Sequence, residues 1–481
     1  MTLNTQQQQA LEGIKSWFEQ VQNQERSTLK VKERFSLLTG YPGTGKSVLV
    51  AELVKGLYQE EKRVLIATPT HFAKNVLVEF LRKAGVNNPV RTIYSVLGLK
   101  PEINDVGEEI FTQDPQSSAL DFSEYDLLII DEVSMINREL WAILTTTSTL
   151  PPCFFVGDSL QLKPVKSPAK SPVFSRVQTR FELTQVMRYQ GAIANYIAAI
   201  RENDYYVNPT FFADQVELVY CEKREWFLRI SEVLETEQTC RALAYTNKNV
   251  DMLNAILRRE KLRRKEGLSI DPNTLEKITG IAPTSVSTIA KVFNWREELN
   301  DEYCQGEKLI TKQPILSWNS QYGIEEIVCH NGTEINIARV EKQKICDLDA
   351  YELDIRWVNT DETNDVYWND ENSHLQATIR VLASTEKVRL EQKLKELKDL
   401  ALKHPTQSRE RKNRFREYYR LKKLFTSVQH VYASTVHKSQ GATFDVVFLY
   451  NDILDCRDTE TQKELNYVGC SRARKQLVIC K

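Results

Sequence analysis

Gly40-Tyr41-Pro42-Gly43-Thr44-Gly45-Lys46-Ser47 has the spacing of a phosphate-binding loop: glycine, four residues, glycine, lysine and a hydroxyl. Small residues let backbone N–H groups converge on an anion, Lys46 can reach β/γ-phosphate oxygens, and Ser47 offers a hydroxyl to Mg²⁺. Pro42, Gly43, Thr44, Gly45, Lys46 and Ser47 are therefore candidate ATP-binding residues. Residues 35–39 read as a strand before the loop. Val48, Leu49, Leu53, Val54 and Leu57 recur at helical spacing after it, so the loop stands where a strand feeds a helix N-terminus. The plain alternative is a glycine turn, and it loses weight once a matching carboxylate follows.

That carboxylate comes at Asp126-Leu127-Leu128-Ile129-Ile130-Asp131-Glu132, a continuous apolar run of the kind found in buried parallel strands, ending in two acids. Asp131 is placed to hold the Mg²⁺ water shell, and Glu132 to polarise an attacking water. Some 25 residues on, after another strand-like run at residues 153–156, Gly157-Asp158-Ser159-Leu160-Gln161 offers a glutamine able to sense a γ-phosphate.

The elements that must position these groups belong to a large chain. With 481 residues and 41% hydrophobic content, about two to four domains are expected. Lys and Arg number 64 against 65 Asp and Glu, so any nucleic-acid contact must come from local basic surfaces. The nine cysteines include no C-x-x-C, and only Cys470 and Cys480 lie within ten residues of each other, which argues against a zinc or iron–sulfur cluster. No apolar run reaches about 18 residues, and the first residues are glutamine-rich and unlike a signal peptide. A cytoplasmic protein with no membrane partner is expected.

Strand-like runs at residues 241–245, 446–450 and 476–480 suggest a second α/β core. Between them, residues 301–425 begin with short alternating segments that read as a small β-barrel, with Asn331-Gly332 as a turn. They continue as two helical patterns broken at His404-Pro405. The Lys and Arg of this helical stretch, interleaved with Glu, read first as a solvated face.

Thr184-Gln185-Val186-Met187-Arg188, the stretch from Thr435 through His437, Lys438, Gln440 and Gly441 to Phe444, and Tyr467 to Arg474 with Ser471-Arg472 complete a series. In this order and spacing the chain resembles the superfamily 1 helicases, and within them the 1B group of Dda-type and RecD-like DNA helicases. The resemblance runs from Leu3 to the C-terminus. It implies two RecA-like parallel-sheet cores, with a hairpin insertion in the first and a small SH3-like barrel plus helices in the second. The implied domains are 1–93 with 123–178 (first core), 94–122 (hairpin), 179–300 with 426–481 (second core) and 301–425 (barrel and helices).

The same resemblance implies roles residue by residue. Gln7 stands at the adenine-reading glutamine, with the register open among four consecutive glutamines. Arg188 and Arg472 match the two γ-phosphate arginines, reaching from the second core, and Gln440 and Gly441 match further ATP contacts. Pro69, Thr70, His71, Thr92, Ser95, Thr246, Asn247, Thr435, His437 and Lys438 match strand-gripping positions, where hydroxyls and amides hold phosphates and rings stack on bases. For His71, a helix-start position that only caps its neighbours stays open. Residues 99–122 fit a strand-separating hairpin turning near Asn104 to Gly107, with Ile103, Ile110 or Phe111 as the wedge. Those three can equally pack the hairpin base. The implied activity is ATP- and Mg²⁺-dependent translocation on single-stranded DNA, 5′ to 3′, with opening of forked DNA by a monomeric motor. An RNA-directed helicase and an ATP-hydrolysing binding switch that opens nothing remain open.

Overall fold

The computed structural model describes residues 3–24, 31–69, 71–103, 109–113, 120–164, 167, 169–204, 206–265, 302–319, 324–329, 332–358, 374–404 and 409–481. Two compact units divide the chain: Met1–Trp226 with Thr236–Tyr245 and Thr435–Lys481, and Phe227–Glu235 with Thr246–Ser434.

The first unit holds two parallel sheets. In the larger, the order is Val90–Thr92, Val64–Thr68, Leu127–Ile130, Cys153–Gly157, Phe35–Gly40, Thr179–Leu183. Successive residues of the central strands go to opposite faces, as the two-residue period requires. Leu38, Ile66, Ile129 and Phe154 join Ile14, Trp17, Phe18 and Leu53 on one side. Leu37, Leu65, Leu128 and Phe155 join Ile93, Leu140 and Leu144 on the other. Helices cover both faces, which is why these strands are apolar throughout.

Thr179–Leu183 corrects the expected boundary at 178: it pairs in parallel with Phe35–Gly40, Ser36 opposite Thr179. The strand alternates half-buried and exposed residues before Leu183, the pattern of an edge strand. The second sheet has five strands in the order Ala433–Thr435, Cys240–Ala244, Phe444–Leu449, Ala473–Cys480, Leu218–Cys221, with parallel pairing at each step from Cys240–Ala244 on. Leu243, Val447, Leu477, Tyr196, Leu465 and Val468 form its core. Helix Asn247–Lys265 clusters with the second unit.

The hairpin insertion is present: Leu99–Ile103 pairs antiparallel with Glu109–Gln113, with Pro101 opposite Phe111 and Glu102 opposite Ile110. Its turn, residues 104–108, lies outside the described residues. For Ile103, Ile110 and Phe111 the backbone ladder is what the structure describes.

In the second unit an antiparallel sheet runs His374–Leu382, Leu348–Val358, Glu334–Ile345, Lys308–Thr311, Val428–His430, and Ile315–Asn319 pairs separately with Ile324–Cys329. The last of these strands in sequence, Val428–His430, returns to pair antiparallel with the first, Lys308–Thr311. Leu309, Ile335, Leu353 and Ile355 fill the sheet's apolar face. Helices Lys387–Leu402 and Arg409–Lys423 follow as expected and pack on each other. Asp301, Asn331 and Pro405 lie outside the described residues.

Candidate nucleotide site

Gly43 and Gly45 have φ of 82° and 83°, in the left-handed region that glycine enters without a Cβ penalty. A Cβ on Gly43 would fall 2.4 Å from the Arg188 Cβ, and one on Gly45 would fall 2.2 Å from Gln7 Nε2. Both glycines are thus required by conformation and by close approach. Gly45 begins helix Lys46–Gln59, so the loop opens on that helix N-terminus.

A cavity of about 350 Å³ lies over the loop, with Pro42, Gly43, Gly45, Lys46 and Ser47 on its wall. Asp131, Glu132, Gln161, Arg188, Gly441 and Arg472 share the same wall. Residues that enter from both sheets of the unit therefore surround one volume. A Cβ built on Gly441 would lie 3.9 Å from Glu132 Oε1, a measure of how closely the two sides approach.

Cations and acids are held apart from solvent here. Lys46 Nζ donates to the carbonyls of Gly40 at 2.7 Å and Tyr41 at 3.1 Å, and burial lowers its pKa. Burial, then the Arg472 charge, brings Arg188 down to about 10. Arg472, 2% exposed, donates to the carbonyls of Val468 (3.0 Å) and Ala442 (3.3 Å) and to Ser471 Oγ (3.1 Å). Its pKa is lowered, burial being the main cause. Three cations on one wall, Arg472 buried and Lys46 and Arg188 half-buried, favour a polyanion in the space between them.

Asp131 is pushed up to about 7 by burial and by the neighbouring Glu132 carboxylate. Its Oδ1 accepts the Glu132 N–H at 2.8 Å. Glu132 has φ 55° and ψ 44°, a left-handed conformation that costs a side-chain-bearing residue about 1–2 kcal/mol. The bend turns the chain at the strand end toward the cavity. Asp131 and Ser47 supply a carboxylate and a hydroxyl, hard oxygen donors that fit Mg²⁺. Among the described residues no cluster of three His, Cys, Asp or Glu could hold a metal ion. The Gln440 amide nitrogen is buried without a hydrogen-bond partner among the described residues, next to cavity-lining Gly441. Gln161 Oε1 accepts the Ser134 hydroxyl at 3.3 Å.

Several contacts had no signal in the sequence. Gln7 Nε2 donates to the Thr44 carbonyl at 2.9 Å and its Oε1 accepts the Asn4 N–H at 2.9 Å. It closes a capping box and braces the loop from behind, with both ends of the amide engaged. Thr44 is buried in the same layer, its hydroxyl donating to the Tyr41 carbonyl at 2.8 Å. The Met187 N–H donates to the Gly43 carbonyl at 2.7 Å and Tyr189 Oη to the Pro42 carbonyl at 3.1 Å, so Arg188 sits between two anchors on the loop. Met187 and Tyr189 flank Arg188 in sequence, but nothing in their type announces that role. Asp158, buried and with its carboxyl pushed up by burial, faces the Lys46 charge and accepts a hydrogen bond from Tyr467.

The strand-gripping candidates fall into a pattern. Thr92, Thr246 and Thr435 each accept the backbone N–H three residues on, from Ser95, Asn249 and Lys438, all at 3.2 Å. Each is a cap at a strand end, which orients the hydroxyl and presents the turn that follows. Ser95, Asn247 and Lys438 are exposed in those turns. The His437 ring stacks on Tyr245, centroids 6.3 Å apart, and burial lowers its pKa. Tyr245 is a ring partner of His437 that sequence reading passed over. Pro69 is buried, His71 begins helix His71–Lys83, and Thr70 lies outside the described residues.

Residues 19–216 match the model of an AAA domain family, and residues 430–480 that of a UvrD-like helicase C-terminal domain. The chain is 26% identical over 466 residues to the ATP-dependent DNA helicase dda of Enterobacteria phage T4, covering 93% of this chain and 94% of that one. It is 33% identical over 161 residues to the ATP-dependent RecD2 DNA helicase of Deinococcus radiodurans, 32% of this chain and 20% of that one. The crystal structure of Pif1 helicase from Candida albicans aligns over 100% of this chain and 95% of its own, at 16% identity and a TM-score of 0.46, a likeness too loose to bear on the argument. The order of motifs, the two family models and the end-to-end likeness to the phage enzyme agree, and the chain is similar to superfamily 1 helicases of the Dda-type and RecD-like group.

Proposed function

We propose that this chain is an ATP-hydrolysing DNA motor that moves along single-stranded DNA, 5′ to 3′, and separates forked duplexes. The observation that carries the reading is the gathering of Lys46, Arg188 and Arg472 with Asp131, Glu132 and Gln161 around one cavity. A binding switch that opens nothing has less use for two arginines brought to the cavity from beyond the phosphate loop.

In this reading Lys46 holds β/γ oxygens and leaves its two carbonyl partners as the triphosphate enters. Glu132 polarises the attacking water, Gln161 responds to the γ-phosphate, and Arg188 and Arg472 stabilise charge on the transferring group. Asp131 and Ser47 would hold Mg²⁺, which would supply positive charge against the negative charge of the phosphates. Because Arg472 lies in the chain between a helix and a strand of the second sheet, hydrolysis depends on the two sheets keeping this approach. Alternating approach and relaxation would shift grip between the capped turns after Thr92, Thr246 and Thr435, with Tyr245 and His437 offering ring faces to bases. Among the described residues no helix is long and apolar enough to cross a membrane, and we place the protein in the cytoplasm as a monomer on single-stranded and forked DNA.

The test is strand separation on forks carrying only a 5′ or only a 3′ tail, with matched RNA forks beside them. Opening of the 5′-tailed DNA alone is the expected result. Opening of RNA forks would redirect the substrate, and hydrolysis with no opening of any fork would leave a switch.

A further inference from the structure

Helix Arg409–Lys423 of the second unit carries eight Lys and Arg against Glu410 and Glu417, six net positive charges in a chain whose net charge is −1. Its half-buried row is Arg411, Phe415, Tyr418 and Leu421. Leu421 packs in the cluster of Leu348, Ala350 and Phe425, beside Leu390 of the preceding helix. Arg409, Lys412, Arg416 and Arg420 are all exposed, at steps of three, four and four. At 100° per residue they fall within an arc of roughly 80°, away from the packed row. Both glutamates lie outside that arc, and Glu417 pairs with Arg414. None of the four stripe residues forms an ion pair among the described residues.

We propose that this stripe docks the sugar–phosphate backbone of duplex DNA. The four charges stand in a nearly straight row about 16 Å long, with neighbours roughly 4.5–6 Å apart along the helix axis. Leaving such a row without acids is unfavourable until a polyanion lies along it, and DNA supplies a regular line of charges. One half-exposed ring, Tyr419, lies beside the stripe, at 43% exposure. A single-strand platform uses a succession of rings to stack bases, and that succession is lacking here. The contact is therefore with phosphates and independent of sequence. The proposal rests on the DNA reading above and adds a second contact surface to it.

The test replaces Arg409, Lys412, Arg416 and Arg420 together with Gln, which keeps helix propensity while removing charge. Binding of a blunt DNA duplex, followed by fluorescence anisotropy from 50 to 200 mM salt, is compared with binding of single-stranded DNA. The slope of log K against log salt for the duplex should become shallower by about 3 to 4, while strand-stimulated ATP hydrolysis is unchanged. An unchanged duplex slope overturns the proposal, as does a loss confined to single strands. Loss of poly-glutamate binding with duplex binding intact would assign the stripe to an acidic protein and overturn it too. Should the fourfold variant lose its melting transition, Arg416→Gln with Arg420→Gln is read instead, with about half the change in slope. A wild-type protein that binds no DNA at all would instead sink the reading of function.

Discussion

The phenol of Tyr467 donates a 2.9 Å hydrogen bond to Oδ2 of Asp158, both groups buried, and so joins helix Thr459–Cys470 to the end of strand Cys153–Gly157. Asp158 also faces the charge of Lys46. Tyr467→Phe leaves a buried acceptor short of a donor, which should destabilise the protein by about 1–3 kcal/mol. Denaturant titration of Tyr467→Phe, Asp158→Asn and the pair gives the coupling energy. Additive single effects would show that the bond links nothing.

Lys46→Ala and Glu132→Gln should lower strand-stimulated ATP turnover by at least about 10²-fold while single-strand binding survives. Arg472→Lys keeps a charge but loses the planar fork that now meets two carbonyls and a hydroxyl, and its turnover should fall by about 10³-fold or more. Steady-state hydrolysis with saturating single-stranded DNA measures all three. Full activity in any of them would remove that residue from the chemistry.

For Gln7, the geometry sets bracing against base reading. Gln7→Ala removes the donor to Thr44 and one arm of the capping box, so melting should drop, by about 1–2 kcal/mol, and nucleotide affinity should weaken equally for ATP and GTP. Competition binding of the two nucleotides distinguishes the cases. A selective loss for ATP would return Gln7 to the adenine.

Asp131 sets a pH dependence. Its folded-state pKa of about 7 stands above the unfolded value of 3.8, so between these values the folded protein binds more protons than the unfolded one. Stability from this group therefore falls as pH rises from about 4 to about 7 and stays low above. Glu464, also raised to about 7, by burial, adds a decline in the same direction. Thermal melts of nucleotide-free protein across this window should slope downward, and Asp131→Asn should flatten only part of the slope. Identical slopes in the two proteins would contradict the assigned shift.

The phosphate loop and the strand ending in Asp131 and Glu132 were legible because each is contiguous: a few neighbouring residues specify both the conformation and the chemistry. The three threonine caps were half legible. A hydroxyl at a strand end suits a phosphate as well as a helix N-terminus, and the cap to the N–H three residues on appears only in the folded chain. Thr179–Leu183 was assigned across the wrong boundary because its partner, Phe35–Gly40, lies far back in the chain and parallel pairing leaves no hairpin signal.

By itself the sequence determined that a phosphate-loop spacing stands between a strand and a helix, with two acids ending a later strand, since those are properties of short segments with fixed turn geometry. Tertiary structure alone decided what stands around that loop. Arg188 is aimed by hydrogen bonds from its neighbours to Pro42 and Gly43, Arg472 is presented where helix Thr459–Cys470 gives way to strand Ala473–Cys480, and Tyr467 reaches Asp158 across 309 residues. Such contacts depend on how two sheets, each with its own apolar core, close on each other, and no local pattern in the chain encodes that closure.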